Sequence, residues 1–388
     1  MAWDSVHLFE CPTRVLYGRS AADQAGERLR ELGVAHALVV SDHGVAEAGA
    51  VDRVAAAVAA AGVEATVYLG TQPNPTTLNV AEAAALYREH GCDGLVGLGG
   101  GSSMDCAKGA GIELTNPGTV ADYAGRDRVQ NRIPPLVCVP TTCGTGSEVT
   151  HVTVITDEEA HLKLVAVSRL IAASVALVDP SLAETAPPHV IAATAADALC
   201  HAVESYVNTG SDPLLDAINI AAIRMIGRNL RAAVHERDPT AIEQLSLAST
   251  MTGIAFNMNA NAIVHAASTP VTAHHGVPHG VANGIFMPWG LEFLAPACRR
   301  ELREIAEALG EDVAGLEADA AAARGVEAVR ALVRDVGIPH TLRDWGLDPD
   351  DVDVSRLVED AMKSRNIATN PRTVTPADLE ELYRVVLG

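Results

Sequence analysis

The first half of the chain alternates short, uninterrupted apolar runs with longer alanine-rich segments, and this alternation stops near residue 185. Continuous apolarity is typical of strands that are covered on both faces, as in a parallel sheet. The predicted strands are HALVVS (36–41), ATVYLG (65–70), DGLVGLG (93–99), PLVCVP (135–140) and ASVALVD (173–179). Segments between several of them have apolar residues at a spacing near 3.6, which predicts helices. Strand, helix and strand in turn predict an α/β layer with right-handed crossovers.

The second half of the chain has a different pattern. Its apolar segments are long, helical in period, and preceded by Pro or Asp at plausible helix starts, and no strand pattern of similar quality follows residue 185. Pro and Asp cluster in DPSLAETAPPH (179–189), which predicts the boundary there. We therefore predict an α/β domain with a parallel sheet over 1–185 and an all-helical domain over 186–388.

Composition excludes several classes of protein. With 48% hydrophobic and 20% charged residues in 388, the chain is globular rather than disordered. The formal net charge of −21 and the lack of a Lys/Arg block argue against a nucleic acid partner. No apolar run reaches the roughly 18 residues that a membrane helix needs. Seven cysteines without a C-x-x-C pair predict reduced thiols, so we expect a cytoplasmic protein without a membrane partner.

A glycine-rich turn follows the third predicted strand, in GLVGLGGGSSMDCAKGAG (94–111). Gly99, Gly100 and Gly101 let the backbone approach a ligand, and the helix that follows offers free N–H groups to a pyrophosphate. Ser102 adds a hydroxyl donor or caps that helix. The alternative is a tight turn without a ligand, because the segment matches neither G-x-G-x-x-G nor a P-loop.

A second loop of the same kind lies in PTTCGTGSEVT (140–150), after the fourth predicted strand. Loops at the ends of two parallel strands point toward one cleft. Its hydroxyl residues are Thr141, Thr142, Thr145 and Ser147. A threonine-rich helix cap is the alternative. Asp42, at the end of the first predicted strand, is either a turn residue or a ribose-binding acid that favours NAD over NADP.

Asp197 and His201 lie four residues apart in TAADALCHAVESYVN (194–208), so they project from one face of a helix, with Cβ atoms about 5–6 Å apart. That helix is apolar nearly all round and should be buried, and a buried carboxylate needs a cationic partner. The alternatives are a plain hydrogen bond or an exposed helix face. Four histidines follow within 15 residues: His265, His274, His275 and His279. Three imidazoles and one carboxylate suit Fe²⁺ or Zn²⁺ with an open position.

Taken together, five motifs resemble those of the iron-containing (group III) alcohol dehydrogenase family. They span nearly the whole chain in the family's order: GGGSSMDCAK, PTTCGTGSEVT, DALCHAVESY, VHAASTPVTAHHGVPHG and NPRTVTPADLEELY. The resemblance implies a dehydroquinate synthase-like architecture, with an N-terminal dinucleotide-binding domain and a metal- and substrate-binding helical domain. It also implies a homodimer, and a cofactor in the cleft between domains with its nicotinamide facing the metal.

By resemblance, the metal ligands are Asp197, His201, His265 and His279, with His274 and His275 excluded. The metal is Fe²⁺, with Zn²⁺ as the alternative, and the dinucleotide is NAD(H). The positions that match the family's dinucleotide site are Asp42, Asn74, Gly99, Gly100, Gly101, Ser102, Asp105, Thr141, Thr142, Thr145, Ser147 and Lys163.

Two positions depart from the family pattern. Thr269 stands where many members carry a proton-relaying histidine, and Trp289 replaces a second histidine. We expect the relay to involve Thr269 and His275, with His274 as another candidate carrier, and Trp289 to reshape the pocket. Glu204, three residues after His201, is either an acid that orients His201 or an exposed helix residue.

The implied reaction moves a hydride between NAD(H) and a small primary alcohol or aldehyde, while the metal polarises the substrate oxygen. An anionic aldehyde is another candidate substrate. One alternative keeps the fold, as a zinc-dependent polyol dehydrogenase or a dehydroquinate synthase-like lyase, although their ligand sets differ from Asp/His/His/His. A second alternative is a metal-holding assembly protein without catalytic activity.

Overall fold

The structure is a computed structural model that describes residues 6–158 and 162–388. The described chain divides into two compact units, Cys11–Ala186 and Pro187–Gly388, and the described residues up to Glu10 join the second unit. His7 shows this grouping, because its Nδ1 lies 3.7 Å from Asp212 Oδ2. The predicted first domain began at residue 1, whereas Val6–Glu10 lie with the helices and Met1–Ser5 lie outside the described residues.

Within the described residues of the first unit, six strands form a parallel sheet. Their order in the sheet is Arg14–Tyr17, Val175–Val178, Leu136–Pro140, Gly94–Gly99, His36–Val40 and Glu64–Tyr68. Its strands are β1 (Arg14–Tyr17), β2 (His36–Val40), β3 (Glu64–Tyr68), β4 (Gly94–Gly99), β6 (Leu136–Pro140) and β9 (Val175–Val178). All five predicted strands are present, so the predicted parallel sheet is confirmed. The strand β1 was not predicted, because it is short, lies at an edge and is only half-buried.

A smaller sheet was also missed in the sequence. It contains β5 (Gly125–Arg126), β7 (Val152–Asp157) and β8 (Leu162–Val167), in the order β5-β8-β7. The strands β7 and β8 pair antiparallel, from Val152 opposite Val167 to Asp157 opposite Leu162. Both strands mix buried and partly exposed positions, so they lack the continuous apolar pattern of the main sheet.

Helices cover both faces of the main sheet. Alternate side chains of β2 show this, because Leu38 and Val40 belong to one buried cluster while Ala37 and Val39 belong to another. Two covered faces explain why the strand sequences are apolar without interruption. The helices of this unit are α1 (Ala25–Glu31), α2 (His43–Glu47), α3 (Ala50–Ala60), α4 (Thr77–Glu89), α5 (Gly101–Thr115) and α6 (Pro180–Ala183).

The second unit is helical throughout its described residues, which confirms the predicted all-α domain. Its three longest helices begin at Pro188, Pro213 and Pro239, and Asp212 and Asp238 cap the second and third of them. The helices are α7 (Pro188–Val207), α8 (Pro213–Arg231), α9 (Pro239–Asn259), α10 (Ile263–His275), α11 (His279–Leu294), α12 (Arg299–Ala308), α13 (Ala318–Asp335), α14 (Leu342–Trp345), α15 (Val354–Met362) and α16 (Pro376–Leu387). Among the described helices, none combines the length and apolarity needed to cross a bilayer.

Ala260, between α9 and α10, adopts a backbone conformation that suits glycine. Its φ is 128° and its ψ is −177°, a region that costs a residue with a Cβ about 1–3 kcal/mol. Neighbouring asparagines hold it there: Ala260 N–H donates to Asn259 Oδ1 at 2.8 Å, and Asn208 Nδ2 donates to Ala260 O at 3.3 Å. The strained residue thus sets the direction in which the chain enters α10.

We predict that Ala260→Gly stabilises the protein by about 1 kcal/mol, because glycine adopts this φ without strain while its own chain entropy offsets part of the gain. Urea unfolding monitored by circular dichroism measures the change. Ala262→Gly, two residues away at an ordinary negative φ of −134°, is the control and should destabilise the protein. Equal losses of stability in the two variants would contradict strain at Ala260.

Candidate metal centre and dinucleotide site

Three helices of the second unit bring the predicted metal ligands together. Asp197 and His201 lie one turn apart on α7, His265 lies in the first turn of α10, and His279 is the first residue of α11. Asp197 Oδ1 is 3.8 Å from His265 Nε2 and 3.7 Å from His279 Nε2. One donor atom from each of these three residues lies within 4.8 Å of the other two.

His201 approaches this group from the side. Its Nδ1 is 3.9 Å from Asp197 Oδ2, and its ring stacks between Phe256 and His265 with centroids 4.2 Å and 4.6 Å apart. The side chain of His279 is 37% exposed, whereas those of Asp197 and His201 are 3% and 6% exposed. The group is therefore buried on the side of α7 and accessible at His279.

Close packing of α11 against α7 depends on Gly280. A Cβ at Gly280 would lie 2.2 Å from the Ala193 backbone oxygen and 3.4 Å from Asp197 Cβ. Any side chain at this position would push the two helices apart and carry His279 away from Asp197. The close packing of α11 on α7 therefore requires a glycine directly after the predicted ligand His279.

The charge state of Asp197 fits a cation. Burial by itself would raise the pKa of this carboxyl, but His201, His279, His265 and the amide of Asn283 outweigh burial and hold the pKa below its usual range. Asp197 is therefore ionised in a nearly dry environment, where a carboxylate needs positive charge nearby. An ionised carboxylate with imidazole nitrogens is a donor set that Fe²⁺ and Zn²⁺ accept.

Glu204 holds His265 in place. It is fully buried, and its Oε2 lies 2.5 Å from His265 Nδ1 and accepts the His265 backbone N–H at 3.2 Å. Its Oε1 accepts the Val264 N–H at 2.6 Å. The sequence suggested His201 as its partner or an exposed position, because only the spacing along α7 was visible there. Since Nδ1 of His265 faces Glu204, Nε2 is directed toward Asp197 and His279.

Two distant residues replace the missing cap of α10. The residue before this helix is Ala262, which offers no side-chain cap. Glu204 accepts two of the first N–H groups, and Asn370 Oδ1 accepts the Ile263 N–H at 2.9 Å. Asn370 belongs to the NPR motif, which was noted in the sequence only as part of a resemblance. Its structural role is to fix the turn that carries His265.

The three residues considered for proton transfer, Thr269, His274 and His275, all lie on α10. Thr269 Oγ1 donates to the His265 carbonyl at 2.7 Å, one helical turn away. His274 Nε2 lies 2.8 Å from Asp360 Oδ2, so His274 is engaged by α15. Partial burial, followed by the influence of His274, lowers the pKa of His275. The Trp289 ring packs on Arg330 and His340, each about 5.1 Å away.

In the first unit, the two predicted loops lie next to each other. The strands β4 and β6 are paired neighbours, with Gly99 opposite Pro140, and Thr141 N–H donates to the Gly99 carbonyl at 3.0 Å. Gly99 has a φ of 144°. A Cβ at Gly101 would come within 2.8 Å of the Thr145 side chain. The backbone at the start of α5 is therefore bare, as an approaching pyrophosphate requires, and these residues fit a dinucleotide.

Further residues of the predicted dinucleotide set tie these loops to their surroundings. Asp105 Oδ1 accepts from Ser147 Oγ at 2.7 Å, and Asp105 Oδ2 accepts from Val154 N–H at 2.9 Å. Ser102 lies in the first turn of α5, and Thr142 faces Gly100, whose Cβ would lie 3.6 Å from its Oγ1. Asp105 and Ser147 thus fix the position of the second loop against α5.

Lys108 was missed in the sequence analysis. Its side chain is fully buried, and its Nζ donates to Ser147 O at 2.6 Å, Ser147 Oγ at 2.9 Å and Val152 O at 3.0 Å. A buried ammonium group that is satisfied by loop carbonyls holds that loop in one conformation. The sequence did contain a signal, because Lys108 lies among small and apolar residues of a helix that was expected to be buried. A lysine buried on a helix needs partners from another element.

Asp42 fulfils the structural role that was weighed for it. Its Oδ1 accepts the Val45 N–H at 2.9 Å and caps α2, while its Oδ2 accepts from Ser103 Oγ at 3.2 Å. The second contact brings Asp42 beside the glycine turn, because Ser103 lies in the first turn of α5. The helix-capping role and a ribose-binding role are therefore compatible.

Lys163 and Asn74 are brought together at the small sheet. Lys163 Nζ donates to Asn74 Oδ1 at 2.8 Å and to Thr156 Oγ1 at 3.0 Å. Burial lowers the pKa of Lys163 to about 8, and the nearby Asp105 opposes this shift. Asn74 holds a left-handed backbone with φ of 57°. Lys163 is therefore close enough to Asp105 for their opposite charges to interact.

Comparison with known proteins covers both units. The family model for iron-containing alcohol dehydrogenase matches residues 12–180, and the model for the C-terminal part of Fe-containing alcohol dehydrogenases matches residues 191–387. The 1,3-propanediol dehydrogenase of Klebsiella pneumoniae is 39% identical over 377 residues, which cover 96% of this chain and 97% of the relative. The NAD-dependent methanol dehydrogenase of Bacillus methanolicus is 34% identical and covers 98% of this chain and 99% of its own.

A solved structure agrees with these sequence matches. The crystal structure of a 1,3-propanediol oxidoreductase has a TM-score of 0.95 and 38% identity, and the match covers 98% of this chain and 99% of that one. The chain therefore belongs to the iron-containing alcohol dehydrogenase family, which confirms the resemblance seen in its motifs and the NAD-linked alcohol and aldehyde chemistry that it implied.

Proposed function

We propose that the chain interconverts a small primary alcohol and its aldehyde with NAD(H), at a metal centre formed by Asp197, His201, His265 and His279. The proposal depends chiefly on the position of the Asp197 carboxylate, which is 3% exposed and lies within 3.7–3.9 Å of imidazole nitrogens from three helices. A buried carboxylate in that setting is poorly explained without a cation. Family membership supports iron as that cation, with zinc as the alternative.

The protein's own residues prepare the centre for this chemistry. A metal ion bound there supplies Lewis-acid polarisation of the substrate oxygen. Asp197 contributes negative charge, and Glu204 keeps His265 Nε2 directed toward the other donors. Exposure of His279 leaves one side of the centre open for a substrate. The buried side, lined by α7, excludes water and strengthens these electrostatic interactions.

We propose that the loops after β4 and β6 hold the dinucleotide phosphates. The bare backbone at Gly99–Gly101 and the start of α5 provide N–H groups, and Thr141, Thr142 and Thr145 provide hydroxyl groups. Asp42 accepts from the ribose hydroxyls, and Asn74 and Lys163 complete the polar surroundings. Hydride transfer requires the nicotinamide C4 to lie next to the substrate carbon. The role of these loops is therefore to orient the dinucleotide.

For proton transfer we propose Thr269 and His275. A lowered pKa keeps the His275 imidazole neutral near pH 7, so it can accept the proton that an alcohol releases. Thr269 donates its hydroxyl hydrogen to the His265 carbonyl, which leaves the oxygen lone pairs available as acceptors. His274 is the weaker candidate, because Asp360 already engages its Nε2.

We also propose a cellular location, an oligomeric state and a substrate class for the enzyme. All seven cysteines are free thiols, as expected in a reducing cytoplasm. On this basis we propose a cytoplasmic location, and we propose a homodimer because the family resemblance implies one. Relatives named for 1,3-propanediol and methanol support small, uncharged alcohols as substrates.

The first prediction from this proposal is aldehyde-dependent oxidation of NADH. Metal-stripped protein, reconstituted with Fe²⁺ without oxygen or with Zn²⁺, is tested by absorbance at the NADH band against propanal, 3-hydroxypropanal, lactaldehyde and sulfoacetaldehyde. We expect turnover with at least one uncharged aldehyde and none after chelation. Stoichiometric binding of metal and NADH without any turnover would contradict a dehydrogenase and favour a metal-holding protein.

The second prediction concerns Glu204. Glu204→Gln keeps the size of the side chain but places an amide where the carboxylate accepts from His265, so the imidazole loses its fixed tautomer. Metal affinity should fall by about 10–100-fold in chelator competition. Asp360→Asn, which alters the similar pair with His274, is the control and should leave the affinity unchanged. Equal losses in both variants would contradict a specific role for Glu204.

The third prediction concerns the choice of dinucleotide. Asp42→Gly removes a negative charge that would repel a 2′-phosphate, so kcat/KM for NADP should rise by about tenfold or more relative to NAD. Glycine is tolerated as a helix cap at a cost of a few tenths of a kcal/mol, so the variant should fold. Asp42→Asn keeps the cap without the charge and should shift the preference in the same direction. An unchanged preference in both variants would exclude Asp42 from the ribose site.

A further inference from the structure

Asn283 has an unusual position among the proposed metal ligands. Its Nδ2 lies 2.7 Å from Asp197 Oδ1, 3.1 Å from His265 Nε2 and 3.1 Å from His279 Nε2. One amide nitrogen therefore contacts the three donor atoms that form the core of the proposed centre. Asn283 was not among the site residues predicted from the sequence.

The surroundings of Asn283 are fully buried and specific. Asn283 lies one turn after His279 on α11, and Ser268 lies one turn after His265 on α10. Both side chains are 0% exposed, and Ser268 Oγ donates to Asn283 Oδ1. A buried amide lies at a position where an apolar residue would cost less desolvation, which points to a role that requires its polarity.

The hydrogen-bond inventory of the amide does not match its three neighbours. An Asn amino group has two N–H donors, so it can satisfy two of the three acceptors. A divalent cation accepts lone pairs from all three of them at once. The donor atoms around Asn283 are therefore arranged for a cation better than for the amide alone.

We propose that Asn283, oriented by Ser268, is a further residue of the metal centre that controls how tightly the cation is held. This inference rests on the proposed function of the same centre. When a cation takes the three lone pairs, an N–H group aimed at it is unfavourable and a carbonyl oxygen is favourable. A hydroxyl group both donates and accepts, so Ser268 can partner either end of the amide as it rotates.

The test compares metal affinity and thermal stability, with and without metal, in Asn283 variants. Asn283→Ala removes the amide, and we expect its affinity for Zn²⁺ to fall by about 10–100-fold in chelator competition. Asn283→Asp places a second carboxylate next to Asp197 Oδ1. The two like charges should lower the Tm of the stripped protein, and a cation should restore it, so the metal-induced rise in Tm should exceed that of the wild type.

Asn219→Ala is the matched control. Asn219 is also 0% exposed in the helical unit and also contacts a serine, since its Nδ2 donates to Ser205 Oγ at 2.8 Å. This variant should lose stability and keep the wild-type metal affinity. Ser268→Ala is a milder second variant that should weaken the affinity in the same direction as Asn283→Ala, should the larger change prevent folding.

The outcomes separate this inference from the function on which it rests. Wild-type affinity in Asn283→Ala and Ser268→Ala, or an Asn283→Asp variant that loses the same Tm with and without metal, would show that Asn283 serves packing alone. That result would overturn the inference and leave the proposed metal centre standing. A wild-type protein that takes up no metal would contradict both.

Discussion

The helical unit depends on one buried carboxylate, that of Glu204. It accepts two backbone N–H groups at the start of α10 and faces His265 Nδ1, all within 3.2 Å. The same group therefore replaces a helix cap, fixes the direction of α10 and sets which nitrogen of His265 is available for a cation. A buried carboxylate of this kind is tolerated because two backbone N–H groups and an imidazole are its hydrogen-bond partners.

The start of α10 combines strain with support. Ala260 holds a glycine-type conformation and Ala262 provides no cap. Glu204 on α7 and Asn370 in the segment before α16 supply the missing acceptors. Strain that is maintained by surrounding contacts is common at functional sites. Tertiary contacts therefore fix the position of His265, because the residue before α10 provides no side-chain cap of its own.

Much of the fold follows from patterns that the sequence shows directly. Four of the five predicted strands, β2, β4, β6 and β9, are apolar because both faces of the sheet are covered there. The fifth, β3, lies at an edge and is mostly exposed, and only its short apolar run marked it. The edge strand β1 and the small sheet were missed because their strands are short or half-exposed, so no apolar run marks them. The passage from α/β to helical structure near residue 186 was visible in the Pro and Asp residues that begin the long helices.

The candidate site was predictable in its residue types but not in its supporting contacts. The spacing of Asp197 and His201 indicated one helix face, while the pairing of Glu204 with His265 depends on the crossing of α7 and α10, which local spacing does not encode. Lys108 and Asn283 were missed for the same reason, since Lys108 contacts Ser147, 39 residues away in the chain, and Asn283 contacts Asp197, 86 residues away. Motif resemblance located the loops, and packing explains why they contact each other.

We propose that Asp197, His201, His265 and His279 together bind one catalytic metal ion. Crystals of the reconstituted protein, measured above and below the iron absorption edge, test it most directly through anomalous difference density. We predict a single strong peak about 2.0–2.3 Å from a donor atom of each of these four residues. A peak elsewhere, or one that touches His274 or His275 in place of the ligand set, would contradict it.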